Sequence, residues 1–96
     1  MRIIIVFLAV VSIAGASNEN IKALRDKGYA LIDNGRIGES IQTFTRGLDQ
    51  CIVEDLKQGE FLFHIGLGEA FYKLNESDAA LHHFMQADSL LEYVGA

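Results

Sequence analysis

The sequence predicts an all-α protein: two antiparallel helix-turn-helix hairpins stacked as a short α-solenoid. Three observations predict it. None of the 96 residues is proline, so nothing in the chain forbids a helix interior. Beyond Ile13, apolar residues recur at steps of three and four, and the alternation of a half-buried strand is absent. One segment also repeats. Gly28, Leu31, Ser40, Phe44 and Gly47 each have a partner 40 residues on, at Gly68, Phe71, Ala80, Phe84 and Ala87. A repeat of this size is one supersecondary unit that buries its apolar face against a copy of itself.

Residues 1–16 stand apart. Met1-Arg2 is a short basic start, Ile3 to Ile13 is an apolar run with one hydroxyl in it, and Ala14-Gly15-Ala16 has the small residues that signal peptidases read. The run is shorter than the roughly 20 residues of a membrane span. It predicts a signal peptide cleaved after Ala16, a secreted or periplasmic location, and no stable membrane span in the mature chain. An uncleaved anchor is the alternative. The remaining chain, 17–96, is one domain. It carries 7 basic and 13 acidic residues, a balance that disfavours nucleic acid as partner. The single cysteine, Cys51, excludes an internal disulfide and reads as a buried thiol on a helix face.

The first helix starts at Asn18 or Asn20, either of which can cap it, and places Ile21, Leu24, Gly28 and Leu31 on one face. Asn34-Gly35 ends it, because both residues tolerate the left-handed conformation that closes a helix. The second begins near Ile37 and buries Ile41, Phe44, Leu48, Cys51 and Ile52; its pattern extends to Leu56, with Gly59 as the stop or linker. The third spans about Glu60 to Leu74. Phe61, His64, Leu67, Gly68 and Phe71 share a face that Leu62 and Ile65 widen, so it is buried on more than one side. Asn75-Glu76-Ser77 is a turn, with Ser77 as cap of a fourth helix that turns Ala80, Leu81, Phe84, Ala87 and Leu91 inward.

These residues resemble the tetratricopeptide repeat, whose pattern sets Leu-Gly and an aromatic in one helix and Ala, Phe and Ala in the next. The second copy supplies His64, Leu67-Gly68, Phe71, Ala80, Phe84 and Ala87. The first supplies Leu24, Gly28, Leu31, Ser40, Phe44 and Gly47. Repeat one would span about 21–54 and repeat two about 61–94. The leading tryptophan is absent, Lys27 stands where an apolar residue is usual, and Ile52 and Glu92 stand where proline is frequent. The offset of 40 exceeds the usual 34, which places about six extra residues between Ile52 and Phe61. The resemblance implies a groove lined by the first helix of each hairpin: Lys22, Arg25, Tyr29, Ile32, Leu62, Ile65, Glu69 and Tyr72.

Signals for chemistry are sparse. No nucleophile motif, phosphate-binding glycine loop or His-Glu-x-x-His is present, so neither catalysis nor a cofactor is expected. Asp78 and His82 share a helix face and could hold a weak divalent ion, whereas adjacent His82 and His83 point about 100° apart. Asn75-Glu76-Ser77 is an N-glycosylation sequon in a turn. The expected function is a small exported interaction module that binds a protein or peptide through the groove, or associates with itself through an open C-terminal edge exposing Met85, Leu90, Leu91 or Val94. Two alternatives remain: a metal-binding or enzymatic protein using Asp78, His82 and His83, and a truncated fragment of a longer repeat protein.

Overall fold

The computed structural model describes residues 20–94; the segment 1–16, with its cleavage point, lies outside the described residues. The chain is already helical at residue 20. Four helices follow in order: α1 (20–33), α2 (Ile37–Val53), α3 (Lys57–Lys73) and α4 (Ser77–Ser89), then one 3-10 turn at Leu91–Tyr93. Among the described residues there is no strand, and no helix is long and apolar enough to cross a membrane.

The three connections are copies of one turn. The second residue after each helix sits in the left-handed region: Gly35 at φ 77°, Asp55 at 56° and Asn75 at 62°. The next amide reaches back to the helix, Arg36 to the Leu31 carbonyl at 2.8 Å, Leu56 to Cys51 at 2.8 Å and Glu76 to Phe71 at 3.0 Å. With the inner bonds Gly35 to Ile32, Asp55 to Ile52 and Asn75 to Tyr72, these are Schellman motifs, which satisfy the last carbonyls of a helix. The following helix starts at once. Helices α2, α3 and α4 therefore begin 20 residues apart, at 37, 57 and 77.

This corrects the second half of the sequence reading. No inserted linker lies between Ile52 and Phe61. α2 ends at Val53, three residues turn, and α3 starts at Lys57, so the extra length is helix. Gly59 does not stop a helix; it lies buried in the first turn of α3 against Cys51. Asp55 is the stop, in the conformation that Asp and Asn tolerate better than most residues. Nor is Ser77 a cap: Glu76 occupies that position and makes no side-chain cap hydrogen bond.

Each neighbouring helix pair meets where a phenylalanine ring lies on a glycine. Gly28 faces Phe44, Gly47 faces Phe63 and Gly68 faces Phe84. The members of each pair are 16 apart, roughly equidistant from their turn. Phe44 is also pressed from the far side by Gly66 of α3. Its ring stands edge-on to Tyr29 at 5.1 Å and tilted to Phe63 at 6.2 Å. Beside it, the Ser40 hydroxyl donates to the Gly28 carbonyl at 2.8 Å. Phe44, Leu48, Cys51, Phe63 and Leu67 make the core. Phe63, with no exposed surface, had no place in the helical face read from the sequence, whereas Phe61 and Leu62, which did, are only half-buried.

Other expected core positions face outward. Ile52 is exposed on α2, and Leu81 on α4. Phe84 keeps 36% of its surface accessible, where Phe44 keeps none. α2 and α4 both pack on α3, but no later helix among the described residues covers α4. The exposed apolar side chains of α4 are thus Leu81, Phe84 and Met85, whereas Leu90, Leu91 and Val94 are half-buried.

Two substitutions separate the crossings. Gly28→Ala pushes a methyl into a Phe44 ring walled in by Gly66; overpacking of this kind costs about 1–3 kcal/mol, against a helix-propensity gain of about 1. Gly68→Ala meets Phe84 at 2.5 Å, a ring with open space to swing into, so urea denaturation should show it near wild-type stability and Gly28→Ala clearly below. Ala80, buried at the α3–α4 crossing, is as intolerant as Gly28. Ala80→Leu should lower the melting temperature by roughly 4 °C or more, and an unchanged melting curve would refute the packing described.

Candidate functional site

The first helices of the two hairpins lie side by side on one surface. An apolar cleft of about 330 Å³ opens there, lined by Ile32 of α1, Glu69, Tyr72 and Lys73 of α3, and Phe84 of α4. Ile32 and Tyr72 hold the same position in the two copies, 40 residues apart. Three of the eight groove residues expected from the sequence, Ile32, Glu69 and Tyr72, thus line one cleft. Tyr72 is well exposed, although a side chain of this size is usually at least half-covered.

The remaining five are spread along the same two helices. Tyr29 sits half-buried beside the Glu69 carboxylate. Burial first, and then the negative charge of Glu69, raise its phenol above the ordinary range, while Arg25 opposes them. Arg25, Tyr29 and Glu69 are therefore one electrostatically coupled group spanning α1 and α3. Lys22 is exposed, and Leu62 and Ile65 are half-buried on α3; none of the three lines the cleft. Lys73 and Phe84 do, and the sequence reading had not placed them in the groove. Phe84 matches Phe44 in sequence, and only the lack of a covering helix turns it from core into cleft wall.

The histidines are arranged differently from the sequence expectation. His83 is turned inward, stacked on Phe71 at 5.5 Å with 5° between the rings. Its Nδ1 lies 3.0 Å from Nδ1 of His64 across the α3–α4 interface. Burial, reinforced by the neighbouring imidazoles, lowers the pKa of both. His82 stays exposed, its ring 5.3 Å from that of His83 at 74°. Asp78, His82 and His83 do not form a ligand set: among the described residues no three His, Cys, Asp or Glu side chains could hold a metal ion together. The reason is the roughly 100° step between adjacent helical residues, which sends His83 into the interface and His82 to solvent.

A third cluster gathers at the turn between α2 and α3. Lys57 Nζ lies 3.3 Å from Asp55 and 3.5 Å from Glu60, and 5.6 Å over the Tyr93 ring. It ties the C-terminal 3-10 turn to the α2–α3 connection. The Glu60 carboxylate is nearly buried, and its Oε2 has Lys57 as countercharge but no hydrogen bond. Cys51 is fully buried nearby, and burial, followed by the charges of Glu60 and Glu54, pushes its thiol up to about 11. At pH 8 that leaves on the order of a hundredfold less thiolate than an exposed cysteine carries. Iodoacetamide should therefore leave Cys51 unmodified in the native protein and label it rapidly in 6 M guanidinium, with mass spectrometry as the readout; fast native labelling would contradict the burial.

Compared with known protein families, curated proteins and solved structures, the chain matches none.

Proposed function

We propose that this protein is a small exported interaction module of tetratricopeptide type, which binds a peptide or protein segment along the surface shared by α1 and α3. The observation that carries the reading is the cleft between Ile32, Tyr72 and Phe84: an apolar floor with one acidic and one basic residue, Glu69 and Lys73, at its rim. A tyrosine there supplies rigid apolar area and a polar tip, the combination that interfaces favour. The two charges of opposite sign fix the direction of a bound chain more than they add affinity. Tyr29, Arg25 and Lys22 extend the surface along α1, and Leu62 and Ile65 extend it along α3. The internal repeat, with its glycine, phenylalanine and small-residue positions, supports the family assignment. The basic start, apolar run and Ala14-Gly15-Ala16 in the sequence support export and cleavage after Ala16.

The open side of α4 belongs to the same reading. A repeat face that no neighbour covers is either polar or meets a partner, and Leu81, Phe84 and Met85 on the open side of α4 are not polar.

The groove is tested by selecting from a random peptide display library on the full chain. Enriched peptides should carry an apolar or aromatic anchor. Their affinity should fall by about tenfold or more in Tyr72→Glu, which leaves the core untouched; one buried anchor contact of 1.4 kcal/mol or more is enough for that loss. Peptides that bind wild type and Tyr72→Glu equally would reject the groove.

A further inference from the structure

We propose that the hydrogen bond between His64 and His83 is an acid-sensitive latch, which docks α4 on α3 at neutral pH and lets go when both rings become cationic. The two Nδ1 atoms meet head-on at 3.0 Å from different helices, 19 positions apart in sequence. The ring centroids are 5.2 Å apart. A neutral imidazole has one N–H and one lone pair, so one ring donates its Nδ1–H and the other accepts. Two protons then act in opposite ways. The first goes to Nε2 of the donating ring and leaves the bond in place. The second finds only the accepting Nδ1 lone pair. It sets two N–H groups, on two cations, pointing at each other, and the bond is lost.

The surroundings do not relieve that repulsion. The charges that act on the rings are other imidazoles: His82 on His64, and His64 with His82 on His83. Glu60, one turn before His64 on α3, is engaged by Lys57. Asp78 and Asp88 on α4, Arg46 and Asp49 on α2, and Glu92 in the 3-10 turn are exposed. Burial, the largest cause, and these neighbours lower both imidazoles below their ordinary 6.5. The unfolded chain therefore takes up its protons before the folded one does. The stability contributed by the pair is complete above pH 6.5 and declines as pH falls below it. α4 has little else to hold it. Its buried residues are two alanines, Ala80 and Ala87, and Phe84 keeps 36% of its surface accessible. The stack of His83 on Phe71 belongs to the same contact. Release of α4 carries Phe84 away from Ile32 and Tyr72, which removes one wall of the cleft. Its consequence for a bound peptide rests on the groove reading above; the latch itself does not.

The test needs no peptide, so its result is separate from whether the groove binds one. Thermal unfolding of the whole chain is followed at pH 7.5, 6.5 and 5.5, a range above the usual carboxylate titration near 4. The wild-type melting temperature should fall by about 5 °C or more between pH 7.5 and 5.5. The double variant His64→Gln/His83→Gln, whose amides do not titrate, should lose less than half of that. His82→Gln, on the exposed ring, should keep most of it. NMR on the wild type decides the matter if the double variant does not fold. Long-range proton–nitrogen spectra should show one bare and one protonated Nδ1 at pH 7.5. Loss of the bare Nδ1 signal and movement of the α4 amides should share a midpoint below pH 6.5, while the α1 and α2 amides stay. A double variant as acid-sensitive as wild type overturns the proposal, and so does an α4 that stays in place while both nitrogens become protonated.

Discussion

The structure depends on a phenylalanine ring laid flat against a glycine backbone at every helix crossing. A three-residue turn makes neighbouring helices antiparallel, so residues equally far from the turn face each other. Gly28 meets Phe44, Gly47 meets Phe63, and Gly68 meets Phe84 under that one rule. The missing side chain of the glycine lets the ring approach its helix closely. Each buried ring contributes about 1.5–3 kcal/mol, a large share for a domain with so few core residues. The alternation also explains why α3 must accept neighbours on both sides: it receives Phe63's pairing with α2 on one side and offers Gly68 to α4 on the other.

The same rule shows where the stack is unfinished. Phe44 is enclosed because Gly66 of α3 closes over it, whereas Phe84 has Gly68 on one side and open space on the other. That difference generates the cleft. Ile32 and Tyr72 occupy matching places on the two first helices, and Phe84 closes the end of the trough they form. A residue type that is structural in one copy becomes surface in the next, with no change in sequence pattern, only in what stands beyond it.

Polar groups are few in the interior, and each has an identifiable partner. Ser40 donates to the Gly28 carbonyl and Thr43 to the Glu39 carbonyl. Glu60 has its countercharge in Lys57. The imidazoles of His64 and His83 face each other. One ring donates its Nδ1–H to the lone pair of the other, which offsets the cost of half-burying the two imidazoles at the α3–α4 contact.

Periodicity and turn chemistry made the helices legible. Steps of three and four placed Gly28, Leu31, Phe44 and Leu48 on buried faces, and Gly35 and Asn75 marked two of the three turns, because glycine and asparagine are the residues that accept the left-handed conformation. The third turn was not legible: its left-handed residue is Asp55, a weaker signal, and Gly59 nearby looked like the stop. Phe63 was missed because α3 is apolar on almost every side, so no single stripe stands out. The sequence by itself determined that the chain is helical, that one segment is repeated, and that Gly28 and Gly68 stand at crossings, since these follow from local conformation and spacing. Only the tertiary structure decided which phenylalanines are enclosed, that Leu81 and Ile52 face solvent, and that His64 meets His83. Those facts depend on which helix covers which, and pairing between distant residues leaves no periodic trace along the chain.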